Sequence, residues 1–137
     1  MTHQLDASEL GDYLVVWDFL KRLDKPAIIG EFNMGALDRG IYPAPVGTSS
    51  QADRARMYQD YVNSAVDHPA FVGCHFFQYL DEPLTGVDGF GDGENTYSGL
   101  VTVADSVYPE MVEAAKRVHA EMYRRRASGS TSATVRR

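Results

Sequence analysis

Two apolar segments decide the fold of this 137-residue chain: Ala27-Ile28-Ile29-Gly30-Glu31-Phe32 and Ala70-Phe71-Val72-Gly73-Cys74-His75-Phe76-Phe77-Gln78-Tyr79. Neither segment alternates apolar with polar residues, and continuous apolar runs of this length are typical of strands buried on both faces of a parallel sheet. A helix is predicted between them, so the two segments form a parallel, right-handed crossover unit. The sequence therefore predicts an α/β fold.

Three helices are predicted around these strands. Residues 7–23 begin with a capping box and carry apolar residues at helical spacing. Thr48-Ser49-Ser50 offers caps for a helix at 51–67, which His68-Pro69 ends. Its apolar stripe consists of Ala55, Tyr58, Tyr61, Val62 and Ala65. The last helix is predicted over 108–126, and residues 127–137, rich in Ser, Thr and Arg, are predicted to form a disordered tail.

Composition excludes several classes of protein. The net charge of −6 opposes nucleic-acid binding through a basic face. Cys74 is the single cysteine, which excludes an internal disulfide and a four-cysteine zinc site. The spacing of Gly89, Gly91 and Gly93 departs from the dinucleotide fingerprint, and Phe90 stands where a calcium loop needs an oxygen ligand. We expect no metal and no cofactor.

The two long loops, at 33–50 and 80–99, both follow the carboxyl ends of strands, where ligands bind in α/β folds. Glu31 ends the first strand, and either a ligand or a salt bridge to Arg39 or Lys25 would account for it. Strand alternation predicts that Ala27, Ile29 and Glu31 share a face. Aromatic residues and carboxylates at strand ends are typical of a carbohydrate site, although the acidic residues 88–95 also fit a solvated turn.

Several motifs resemble glycoside hydrolase family 50, the β-agarases. Gly30-Glu31-Phe32 followed by Gly35-Ala36-Leu37-Asp38-Arg39-Gly40 is similar to the segment of that family that holds the catalytic nucleophile. The family's closing stretch is matched in order by His75-Phe76-Phe77-Gln78-Tyr79, Thr85-Gly86, Asp92-Gly93-Glu94-Asn95, Gly99-Leu100-Val101, Asp105 and Tyr108-Pro109. The resemblance extends from Lys25 to Arg126.

The resemblance implies a retaining hydrolase that cleaves β-1,4 linkages of agarose or related galactans. Residues 1–126 would be the C-terminal quarter of a (β/α)₈ TIM barrel, with its strands seven and eight, and Glu31 would be the nucleophile. The acid/base Glu of this clan lies at the end of strand four, upstream of this chain. The implied substrate-binding residues are Phe32, Asp38, Arg39, His75, Phe76, Gln78, Tyr79, Asp92, Glu94 and Asn95.

The resemblance also sets expectations for the isolated chain. It would need the N-terminal portion of the barrel, so we expect it to be inactive and poorly folded alone. The family implies a secreted or periplasmic location. Phe76 stands where the clan usually has Trp, which leaves the substrate and the exo or endo mode open. The alternatives are a β-galactosidase of the same clan, and a non-catalytic remnant that binds carbohydrate or assembles with a partner.

Overall fold

The computed structural model describes residues 24–39, 43, 46–87 and 95–134. The predicted helix at 7–23 lies outside these residues, as do residues 88–94 of the acidic loop. The strands and helices are β1 Ala27–Phe32, β2 Gly35–Ala36, β3 Gly47–Thr48, α1 Gln51–Asp67, β4 Phe71–Phe76 and α2 Pro109–Thr134. A short 3₁₀ helix, Leu37–Arg39, follows β2.

The main sheet pairs β1 with β4 in parallel, with Ala27 opposite Phe71. This pairing confirms that the two predicted strands are parallel neighbours, with α1 between them in the chain. A second parallel pair, β2 with β3, lies within the first of the two predicted loops. The Thr48 hydroxyl donates to the Gly35 carbonyl at 2.8 Å and holds this pair together. Strands of two residues are too short to produce a periodic pattern in the sequence.

Helix α1 begins and ends where the sequence predicts. The Ser50 hydroxyl oxygen accepts a hydrogen bond from the Asp53 amide at 3.1 Å, which satisfies one of the free amides of the first turn. At the other end of the helix, the His68 amide donates a hydrogen bond to the Ser64 carbonyl at 3.1 Å, and Pro69 follows. The predicted stripe faces the core, where Ala55, Tyr58, Val62 and Ala65 are buried and Tyr61 is half-buried.

Helix α2 packs against α1 and completes the core. Its residues Met111, Ala114 and Val118 are buried with Phe32 and Tyr58 between the helices and the main sheet. No helix among the described residues is both long and apolar enough to cross a membrane.

The predicted start of a disordered tail at Ala127 is wrong for the residues that the structure describes. Helix α2 continues through this segment to Thr134. No proline interrupts residues 127–134. The Ser128 hydroxyl donates to the Arg124 carbonyl at 2.9 Å, so a residue type that is unfavourable within helices is accommodated along this one. Residues 135–137 lie outside the described part.

The prediction that both strands are buried on two faces is also wrong for this chain. Ile28 is 55% exposed and Val72 is 70% exposed. Ile29 and Cys74, by contrast, pack against the core. The reason is that α1 and α2 cover one face of the β1–β4 sheet, and no other described element covers the opposite one. We call this opposite side the open face.

Candidate functional site

Glu31 lies at an irregularity near the end of β1. Ile29 is opposite Cys74 and Phe32 is opposite Phe76, so β1 advances by one residue more than β4 over this interval. Such an extra residue is a β-bulge, and it re-aims the side chains beside it. Ile29 and Phe32 therefore both face the core, while Glu31 is exposed. The expectation that Glu31 shares a face with Ile29 is wrong, because alternation assumes a regular strand.

The Glu31 carboxylate is free among the residues that the structure describes. Neither Arg39 nor Lys25 forms the predicted salt bridge with it, and Arg39 instead contacts Glu110 at 3.4 Å. The bulge lies opposite His75, which is also exposed. A carboxylate and an imidazole thus lie at neighbouring positions at the carboxyl end of two parallel strands.

The rings of Phe32 and Phe76 face the core instead of a substrate. Phe32 stacks on Tyr61 with ring centroids 4.4 Å apart, and it meets Phe76 edge-on at 5.3 Å. Phe76 also meets Tyr58 edge-on at 5.4 Å. The expectation that these two rings contact sugar is therefore corrected. The bulge turns Phe32 toward the helices, and alternation turns Phe76 away from the side of His75.

Asp38 and Arg39 connect the segment after β1 to the starts of the two helices. The Asp38 carboxylate accepts a hydrogen bond from the Gln51 amide at 3.1 Å, in the first turn of α1. Arg39 reaches Glu110 in the first turn of α2. A carboxylate is favourable at a helix N-terminus, so this contact stabilises α1. Both predicted binding residues are thus engaged in contacts within the fold.

The remaining predicted binding residues lie in the segment that follows β4. The Phe77 amide donates to the Phe32 carbonyl at 2.8 Å, which holds the start of this segment beside Glu31. The peptide bond between Phe77 and Gln78 is cis. Tyr79 is 65% exposed, and its hydroxyl donates to Asp105 at 3.4 Å.

Gln78 and Asn95 both donate hydrogen bonds within the segment that follows β4. The Gln78 amide donates to Glu82 at 3.4 Å, and the Asn95 amide donates to the Leu84 carbonyl at 3.5 Å. Asp92 and Glu94 lie outside the described residues, so their predicted role is not tested. Within the described ranges, no group of three His, Cys, Asp or Glu side chains is arranged to hold a metal ion.

A buried polar network lies beneath the two strand-end segments. The Arg54 guanidinium is fully buried and donates to the Met34 carbonyl at 2.7 Å, to the Gly99 carbonyl at 2.8 Å and to Gln51 at 3.2 Å. Burial lowers the pKa of Arg54 to about 10, and the nearby Asp81 opposes that shift. Each of its three nitrogens donates a hydrogen bond, which offsets part of the cost of burying the cation.

Asp81 continues this network toward α2. One of its carboxylate oxygens accepts from the Gly99 amide at 2.7 Å, and the other accepts from the Tyr108 hydroxyl at 2.6 Å. Burial raises the pKa of Asp81, and burial together with the Asp81 carboxylate raises the pKa of Tyr108. Gly99 itself has no room for a Cβ, which would overlap the backbone of Asp81 and Val101.

The chain is similar to two curated β-agarases of Vibrio sp. strain JT0107. It is 45% identical to β-agarase B over 127 residues, which is 90% of this chain, and 42% identical to β-agarase A over 116 residues, which is 84%. An exo-β-agarase structure matches 82% of this chain with a TM-score of 0.78 and 53% identity. The structure of PfGH50B matches 80% with a TM-score of 0.76 and 50% identity. No family model matches.

The chain is a segment related to the β-agarases of glycoside hydrolase family 50. This segment spans 13% of β-agarase B and 12% of β-agarase A, and it covers 15% of each of the two solved chains. The mixed α/β fold therefore matches one part of these family 50 proteins.

Sequence reasoning misses the buried network of this family 50 segment. Asp81 and Glu82 fall among the loop acids in the sequence, yet both are buried, and Glu82 accepts from the Thr96 amide at 2.6 Å. The sequence contains one signal that Arg54 needs partners within the fold. This arginine precedes Tyr58 by four positions, and therefore lies on the apolar side of a helix where a charge needs partners.

Proposed function

We propose that this chain forms the seventh and eighth βα units of the (β/α)₈ barrel of a retaining, β-agarase-like glycoside hydrolase. The observation that carries the proposal is the position of Glu31. Its carboxylate is exposed at the carboxyl end of a parallel strand, on the open face and without a partner among the described residues. In barrel enzymes the catalytic residues come from the carboxyl ends of the strands.

Glu31 acts as the nucleophile in this proposal. Its carboxylate oxygen attacks the anomeric carbon and forms a glycosyl-enzyme ester, while a second carboxylic acid protonates the departing glycosidic oxygen. Water then attacks the ester, and the second residue, now a carboxylate, takes its proton. In retaining enzymes the two carboxyl groups lie about 5–5.5 Å apart. The second group would come from the end of strand four, in the rest of the barrel.

The substrate proposed is agarose or a related galactan, cleaved at β-1,4 linkages. The similarity to proteins named β-agarases supports this choice. His75 and Tyr79 are exposed close to the end of β4 and can donate to sugar hydroxyl groups. Gln78 and Asn95 are half-buried in the same segment, with amide groups that can both donate and accept.

The isolated chain is inactive in this proposal, because it supplies one carboxylate of the catalytic pair. The exposure of Ile28 supports a larger assembly, since the interior of a barrel is filled by side chains that point inward from its strands. The partner would be the remaining six units of the barrel.

A hybrid protein tests the proposal directly. In this hybrid, the exo-β-agarase that is 53% identical receives the present chain in place of the segment it matches. We expect the hybrid to hydrolyse agarose with retention of anomeric configuration, as measured by NMR of the first product. Glu31→Gln should lower kcat by several orders of magnitude, because the amide cannot form the ester. Glu113→Gln, the same change at an exposed helical position, should leave kcat unchanged.

Azide distinguishes a nucleophile from an acid/base residue. In the Glu31→Gly hybrid, azide should attack the anomeric carbon of a nitrophenyl β-galactoside and displace nitrophenolate, which gives the α-galactosyl azide. A β-azide product would contradict the role of Glu31. A folded hybrid that binds agaro-oligosaccharides without cleaving them would favour the non-catalytic remnant, and cleavage of galactosides alone would favour a β-galactosidase.

A further inference from the structure

Arg54 joins the two segments that follow the strands of the main sheet. From its place on α1, the guanidinium donates to the Met34 carbonyl at 2.7 Å and to the Gly99 carbonyl at 2.8 Å. Met34 lies three residues after Glu31, and Gly99 lies in the segment after β4. One rigid group therefore contacts the backbone of both strand-end segments.

These contacts are strong for their kind. Arg54 is fully buried, and hydrogen bonds from a charged donor are shorter and stronger than neutral ones. The planar guanidinium offers five N–H donors in a fixed geometry, whereas a lysine ammonium is a compact point charge on a flexible stem. Lysine at this position could reach one of the carbonyls, and it could not hold the two at a fixed separation.

We propose that Arg54 is a positioning residue for the nucleophile: through the Met34 and Gly99 carbonyls it fixes the end of β1, which carries Glu31, relative to the segment after β4. This inference rests on the proposed function of Glu31. The amide of Phe77 supplies a second link, since it donates to the Phe32 carbonyl beside Glu31. Arg54 itself touches no substrate and acts through the backbone.

The Arg54→Lys hybrid tests this role through the division of its effect between kcat and KM. A shift of the nucleophile by an ångström is enough to cost up to about 10²-fold in rate, so we expect kcat to fall by about 10- to 100-fold. KM should stay within about threefold, because the exposed side chains near the end of β4 are unchanged. The rate of covalent trapping by a 2-fluoro galactoside should fall in parallel with kcat.

Two control variants separate positioning from general stability. Val62→Ala removes a buried side chain from the same helix, so it lowers the melting temperature without touching either carbonyl. Arg56→Lys makes the same chemical change at an exposed position, where the arginine contacts Asp53. Both controls should keep the kcat of the unsubstituted hybrid. A kcat for Arg54→Lys equal to that of Val62→Ala would overturn the proposal.

Amide exchange in the hybrid tests the connection independently of catalysis. The Gly35 amide donates to the Val46 carbonyl, and the Gly99 amide donates to Asp81, so each reports on one of the two segments. Arg54→Lys should speed exchange at both amides together, on the order of tenfold, relative to Val62→Ala. Unchanged exchange rates at the two amides would contradict the connection of the two segments through Arg54, even if Glu31 proved to be the nucleophile. An inactive hybrid with coupled exchange would instead contradict the role of Glu31 and leave the connection intact.

Discussion

Cys74 shows how burial on one side of β4 changes the chemistry of a single side chain. Its thiol packs against the core, and burial raises its pKa above the ordinary value of 9.0. Because its pKa is raised in the folded state, the thiol contributes to stability. This contribution is fully present below pH 9.0 and is lost as the pH rises through the folded pKa. The thiolate is the reactive form, so the native thiol should also be slow to react.

We therefore expect the wild type to have a larger free energy of unfolding than Cys74→Ala. This difference should be constant at neutral pH and should shrink above pH 9.0. Urea titrations of both chains between neutral pH and about pH 11 would measure it. The pKa of Tyr58 is raised first by burial and second by Cys74, so the difference between the two chains above pH 9.0 includes the coupling of these two groups. A difference that grows with pH would contradict the assigned environment. Iodoacetamide should modify the native chain more slowly than the chain in guanidinium.

At the scale of single residues, the sequence identifies Glu31 as the candidate nucleophile but predicts its face of the strand incorrectly. Glu31 stands out because a carboxylate ends an apolar strand. The face predicted for it is wrong, because a bulge depends on the pairing of β1 with β4 and leaves no local signal. Arg54 is missed for a related reason. Its partners, Met34 and Gly99, lie far apart in sequence and meet only in the folded chain.

At the scale of elements, prediction succeeds where several local signals agree. Helix α1 has a serine cap, an apolar stripe and a terminating proline, and its predicted bounds are correct. The last helix is longer than predicted, because its final turns have polar residues that signal nothing about packing. The strands β2 and β3 are missed, since a two-residue strand is defined by its partner.

Gly129 offers a test of the longer α2. It lies within the helix and is exposed, and open space surrounds the position that a Cβ would occupy, so alanine fits there without a clash. Glycine costs about 1 kcal/mol relative to alanine in a helix interior. Gly129→Ala should therefore increase helical circular dichroism and stabilise the last turns by up to about 1 kcal/mol.

Gly129→Pro provides the opposite change at the same position. Proline removes an amide donor and collides with the preceding turn, so helical signal from the end of α2 should be lost. Hydrogen exchange of the amides near Ser128 would locate the effect. If neither substitution alters the dichroism or the exchange, residues 127–134 are not helical in solution, and the expectation of a disordered tail would stand.

At the scale of the whole molecule, the open face should behave differently in the isolated chain and in a complete barrel. Ile28, whose side chain lies beside Gly73 of the neighbouring strand, is 55% exposed there. The isolated chain should therefore bind a hydrophobic dye such as ANS, because apolar surface is available to it. The substitution Ile28→Thr should reduce dye binding. It should change the free energy of unfolding by no more than about 0.5 kcal/mol, as is usual for exposed positions.

The same substitution should have the opposite consequence in the hybrid. If the open face becomes the interior of a barrel, a buried hydroxyl group replaces the apolar side chain of Ile28 there. An unpaired hydroxyl costs about 1–3 kcal/mol, so the melting temperature of the hybrid should fall clearly. Matched substitutions at Val103 and Val107, which are exposed in the segment after β4, provide a control that should affect both proteins little.

Equal and small effects in the chain and in the hybrid would mean that the open face stays in solvent, which would contradict the barrel assignment. A loss of stability confined to the hybrid would support it, because burial of Ile28 requires the remaining strands.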